Sequence, residues 1–122
     1  SAASVTGIGL YPAWRSSEEY SGPTIGIGGL LKAPKAATWS WISVVTKNVA
    51  SAVSVVFDVM NNGSSIFAGV TKPTIIGTGT YVSTASINSK AILPGQDLRA
   101  DISAMGAGIG TIKNITIQGG TT

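Results

Sequence analysis

Apolar and polar residues alternate with period two along most of the chain, and the three-to-four-residue spacing of an amphipathic helix is almost absent. Turn residues interrupt the alternation every ten or so positions, the spacing of a sandwich or barrel. The pattern predicts eight strands, near 4–10, 25–33, 38–46, 52–60, 64–69, 79–87, 97–104 and 109–118. In the clearest of them Val53, Val55, Phe57 and Val59 share one face, while Ser54 and Asp58 share the other. That run meets Asn61-Asn62-Gly63, and Asn-Gly between two β-like runs signals a type I′ hairpin, because both residues tolerate positive φ. Ser64 to Phe67 is the expected returning strand. Leu93-Pro94-Gly95-Gln96 fits a type II turn. Pro12, Pro23, Pro34, Pro73 and Pro94 all avoid the predicted strand interiors, where a missing N–H would break a ladder.

These elements predict an all-β, antiparallel β-sandwich domain over residues 23–122. Residues 1–22 read differently, with Gly7, Gly9, Pro12 and Gly22 and a single serine-capped helical turn at Ser16, Ser17, Glu18 and Glu19, and are expected to form an extended N-terminal arm. Short echoes such as Thr6-Gly7-Ile8-Gly9 and Thr24-Ile25-Gly26-Ile27-Gly28 recur at no fixed period, which argues against a solenoid.

Composition narrows the chemistry. The 122 residues include no cysteine and no histidine, which removes disulfides, thiol nucleophiles, Ser-His pairs and ordinary zinc sites. Charged residues make up 11%, against roughly 25% in soluble domains, so the exterior must be built from hydroxyls and exposed apolar groups, and association is expected. The net charge of +3 is spread along the chain without a cluster that could neutralise successive phosphates, so no nucleic-acid partner is expected. The longest mainly apolar run, Val49 to Phe57, is too short to span a bilayer, and no charged region precedes an apolar one at the start. The chain therefore reads as soluble, without a signal peptide or membrane partner.

No catalytic set, cofactor site or metal site emerges. Asp97 and Asp101, four apart on an extended strand, would stand about 13 Å from each other, too far for a glycosidase pair. Asp58 with Asn61 and Asn62 supplies too few oxygens for calcium, and turn chemistry explains the asparagines better. Gly26 with Gly28, and Gly106 with Gly108 and Gly110, lack the lysine and following helix of nucleotide loops and read as bulges.

Residues 31–118 hold Phe57-Asp58-Val59-Met60-Asn61-Asn62-Gly63-Ser64-Ser65-Ile66-Phe67, Lys72-Pro73-Thr74-Ile75, Ile92-Leu93-Pro94-Gly95-Gln96-Asp97-Leu98 and a last Ile115-Thr116-Ile117 strand. In that order these segments resemble a family of small jelly-roll-like β-sandwich domains of tailed-bacteriophage structural proteins. The chain departs from the family pattern by placing Gln96 between Gly95 and Asp97, and Trp39 and Trp41 lie outside that pattern. The resemblance implies a non-enzymatic virion protein made in the bacterial cytoplasm. It also implies a homotrimer and, as partner, the major capsid protein or another virion protein. Capsid decoration, tail-fibre and head-fibre roles all occur in the family. Short length and the lack of a repetitive shaft favour a decoration, or cement, protein on the outer surface of the particle.

Two groups of side chains are the candidate contacts. In the arm, Tyr11, Trp14, Arg15, Glu18, Glu19 and Tyr20 are expected to bind a partner, the aromatics as anchors in a neighbour's pocket or as packing on their own domain. On the strands, Trp39 and Trp41, two apart, are expected on one face about 7 Å from each other. Together with Tyr81 they are candidates for glycan or subunit contact, with burial in the core the stronger reading for tryptophan.

Overall fold

The computed structural model describes residues 9–48, 54–76, 80–106 and 111–122. Ten strands form among them: β1 (Ala13–Ser16), β2 (Thr24–Lys32), β3 (Ala37–Asn48), β4 (Ser54–Asn61), β5 (Ser64–Ser65), β6 (Thr74–Ile76), β7 (Tyr81–Thr84), β8 (Ala91–Ile92), β9 (Asp97–Met105) and β10 (Ile112–Thr121). All pairings are antiparallel. Sheet 1 runs β1-β10-β3-β7, with β8 also on β3; sheet 2 runs β2-β9-β4-β5, with β6 also on β4. Set aside the two-residue β5 and β8 and four strands remain in each layer. The chain then crosses between layers at each of the steps β1-β2-β3-β4 and again at each of the steps β6-β7-β9-β10. That strand order is a jelly roll, the double Greek key expected from the sequence resemblance.

Alternation builds the core between the layers. Trp14, Ile117, Val44 and Val82 form one cross-strand row of sheet 1, and Ala100 and Val59 lie paired in sheet 2, all facing inward. The Asn62-Gly63 turn forms as the sequence predicts, with φ of 53° and 86°, values that make glycine the natural second residue. The Leu93–Gln96 turn also forms, with Gly95 at φ 83° and Gln96 N–H donating to the Leu93 carbonyl at 3.3 Å. The unexpected Gln96 closes this turn from the side, its Oε1 accepting the Leu93 N–H at 2.8 Å.

Four sequence expectations change. The strand expected at 64–69 stops at Ser65, after which Ile66 and Phe67 drop into the core from a turn. Short pieces β6 and β8 went unseen because three- and two-residue strands carry no readable alternation. The helical turn at Ser16–Glu19 is instead a hydroxyl-capped bend in which Ser16 Oγ accepts the Glu18 N–H at 3.2 Å. Within the segment read as an arm, residues 13–16 form β1, the edge strand on β10, and Tyr20 bridges Ile112. The expected strand at 4–10 lies mostly outside the described residues.

Candidate interaction surfaces

The arm residues divide by the pleat of β1. Trp14 points inward with 0% of its surface exposed, and its Nε1–H donates to the Leu98 carbonyl of the opposite sheet at 3.4 Å. Tyr20 is also buried, its hydroxyl 2.6 Å from Ser16 Oγ. Both therefore serve the packing of their own domain, and neither is available to anchor a neighbour. The opposite side of the pleat turns Arg15 to solvent. Glu18 and Glu19 are exposed, and Glu19 lies 3.9 Å from Lys113 Nζ. Tyr11 stands out at 64% exposure beside a shallow pocket of about 250 Å³ that Leu10, Pro12, Leu31, Pro34 and Leu98 help to line.

Trp39 and Trp41 do not share a face. A register shift pairs Gly120 with Trp41 but Thr121 with Trp39, so β3 spends two steps where β10 spends one. This bulge sends Trp39 inward, 1% exposed, in line with Ile42 and Val44, and leaves Trp41 on the outer face, half-buried. Each indole lies against a glycine of β10, Trp39 on Gly119 and Trp41 on Gly120, where any Cβ would collide with the ring. Trp39 Nε1 is buried with no hydrogen-bond partner among the described residues.

The outer face of sheet 1 is hydroxyl-rich and basic. One cross-strand row reads Arg15, Thr116, Val45, Tyr81, and the next reads Ala13, Gln118, Ser43, Ser83. Val45 and Tyr81 are exposed, and Lys47 and Lys113 extend the face as a further pair. The strands of this sheet contain Arg15, Lys47 and Lys113 and no Asp or Glu.

Sheet 2 carries the opposite character. Asp58 on β4 and Asp101 on β9 are direct cross-strand partners on its outer face, a juxtaposition that sequence spacing alone does not reveal. Arg99 clamps Asp101 through Nε and Nη2, both at 2.9 Å, and the Gly26 N–H adds a third donor at 2.9 Å. That last contact comes from a β2 bulge in which Gly26, at φ 83°, lets Ile25 face outward and Ile27 inward. Asp58 Oδ1 accepts the Ser65 hydroxyl at 2.7 Å and the Val59 N–H at 2.8 Å. Burial nevertheless holds the Asp58 carboxyl above its ordinary range, against the opposing pull of Ser65 and of Lys72. The two carboxylates, each 7% exposed, and Arg99 line a shallow pocket of about 440 Å³ whose apolar wall is Pro23, Ile25 and Met60.

No protein-family model matches this chain, and no curated protein matches it. Among solved structures it is similar to the family 35 carbohydrate binding module from Clostridium thermocellum, at TM-score 0.49 and 9% identity, covering 89% of this chain and 97% of that one. It is also similar to the Podospora anserina GH26-CBM35 β-(1,4)-mannanase, at TM-score 0.44 and 11% identity, covering 89% of this chain and 27% of the mannanase chain.

Proposed function

We propose that this chain is a virion structural protein: a capsid decoration module that binds the outside of an assembled phage shell and stabilises it without catalysis. The observation that carries the reading is the exterior, where Tyr11, Ile25, Leu30, Ile76 and Tyr81 stand exposed on a surface with few charges. A surface of this kind gains free energy by being covered, and a large assembly offers the cover. The jelly-roll strand order and the resemblance of residues 31–118 support a virion as that assembly. Tyr11, with its neighbouring apolar pocket, is the part of the N-terminal segment available to a shell protein.

The mechanism is linkage. A protein that binds the assembled shell and not its dissociated subunits stabilises the shell in proportion to its affinity and concentration. Particles stripped of this protein should release DNA at a lower temperature, and adding the purified chain back should restore the original temperature. Release that is indifferent to the protein would sink the reading.

A glycan-binding module at a fibre tip is the second reading, favoured by Trp41 and Tyr81 sharing the outer face of sheet 1 among hydroxyl and amide side chains. Aromatic faces stack on sugar rings, and Gln118, Ser43 and Ser83 could hydrogen-bond their hydroxyls. A glycan array that goes blank for a folded Trp41→Ala variant would support this role. Unchanged or absent wild-type binding would remove it.

A further inference from the structure

The charged side chains are sorted between the two layers. Every carboxylate carried by a strand (Asp58, Asp97 and Asp101) lies on sheet 2, whereas the strands of sheet 1 carry three cations and no carboxylate. Within sheet 2, Lys32 pairs with Asp97 at 2.6 Å and Arg99 with Asp101 at 2.9 Å, which leaves Asp58 as the strand carboxylate with no ion pair among the described residues. On sheet 1, Arg15 and Lys47 likewise form no ion pair among the described residues, and Lys113 reaches only a loop carboxylate, Glu19, at 3.9 Å.

Each face also presents apolar groups beside its charge. Arg15 sits in a row with exposed Val45 and Tyr81, and the Asp58–Asp101 pair sits in a row with Ile25, 74% exposed, and beside Met60. The strands of sheet 1 carry only cations, and those of sheet 2, with Asp58, Asp97 and Asp101 against Lys32 and Arg99, carry one carboxylate in excess, so each face attracts the other more than it attracts its own copy. A face that repels its own copy but attracts the opposite face disfavours a two-fold, same-patch dimer and favours head-to-tail contact, which closes into a ring when the rotation per subunit allows.

We propose that copies of this chain associate head-to-tail, the outer face of sheet 1 of one copy seated on the outer face of sheet 2 of the next. Arg15 of one copy enters the pocket walled by Pro23, Ile25 and Met60 and meets Asp58 there, the carboxylate that Arg99, bound to Asp101 in the same pocket, leaves without an ion pair, while Tyr81 and Val45 cover Ile25. The occupant of the pocket is a second copy of this chain, and the assembly closes into a ring or extends as an open stack according to the rotation between successive copies. The proposal rests on the reading of the chain as a self-associating module and names the surfaces it uses.

The test is the mass of the full-length chain in solution, by sedimentation velocity over a concentration series. Wild type should form an assembly larger than a dimer, closed or open-ended, that dissociates as ionic strength rises, because salt screens the attraction that brings the two faces together. One variant, Arg15→Glu with Tyr81→Ala, damages only the sheet 1 face; the other, Ile25→Lys with Asp58→Asn, damages only the sheet 2 face. All four sites are at the surface or keep their hydrogen-bond acceptor, and circular dichroism checks that each variant is folded. Each variant alone should be monomeric, and their equimolar mixture should form a one-to-one pair and nothing larger, since each contributes one intact face. A monomeric wild type, a variant that keeps the wild-type mass, or a mixture that does not pair would each overturn the proposal. Shell binding is measured separately on wild type: an assembly that ignores the shell defeats the decoration role alone, and a monomer that binds the shell defeats the interface alone.

Discussion

At the residue scale, Trp14 and Tyr11 are three positions apart and opposite in role. Trp14 is enclosed between the layers, so Trp14→Ala should cost about 3–5 kcal/mol, the range for emptying a large aromatic site. Tyr11→Ala should stay within about 0.5 kcal/mol, as surface changes do. Urea denaturation of the two variants measures the contrast, and comparable losses would contradict the assigned burial. Asp58 gives a pH-dependent prediction. Its folded-state affinity for a proton exceeds its unfolded one because burial disfavours the charge, so its contribution to stability is most favourable in acid. That contribution is lost as pH rises from the ordinary carboxylate range through the raised value, and then stays level. Asn at this position can still accept from Ser65 and Val59 without the charge. Compared as dilute, unassociated chains at high salt, Asp58→Asn should therefore melt at a higher temperature than wild type near neutral pH, and the advantage should vanish in acid.

Elements show how local rules and sheet register share the work. The Asn62-Gly63 hairpin, the proline positions and the facing of Val55, Phe57 and Val59 were legible, because each depends on two to eight consecutive residues. The facing of Trp39 and Trp41 was not, since the bulge that separates them arises from pairing with β10, some 80 residues away in sequence. The two glycines under those rings make this testable. Gly119→Ala drives a methyl against an indole that has nowhere to go and should destabilise by about 1–3 kcal/mol, the cost of overpacking a core. Gly120→Ala meets an indole that can swing toward solvent, so it should cost less and instead shift the tryptophan fluorescence. Thermal melts followed by fluorescence separate the two, and equal losses of stability would count against the opposed faces.

For the whole molecule, the first strand closes on the last. β1 covers the edge of β10 between Ile115 and Gln118, and the Gly119 N–H donates to the Pro12 carbonyl at 2.8 Å. Deleting residues 1–16 should therefore do more than remove a tether. It should lower the melting temperature further than Trp14→Ala does and promote aggregation through the uncovered strand edge. A truncated chain as stable and as soluble as the full one would show that the segment is dispensable to the fold.

Alternation, turn chemistry and a sparse supply of charge are properties of neighbouring residues, and they sufficed for an all-β sandwich with a sparsely charged exterior. Strand order, the burial of Trp14 and Tyr20, the parting of Trp39 from Trp41 and the meeting of Asp58 with Asp101 required the folded sheets. The physical reason is that a strand's own sequence sets which residues alternate, but only its partner and register decide which face is inside and which distant side chains become neighbours.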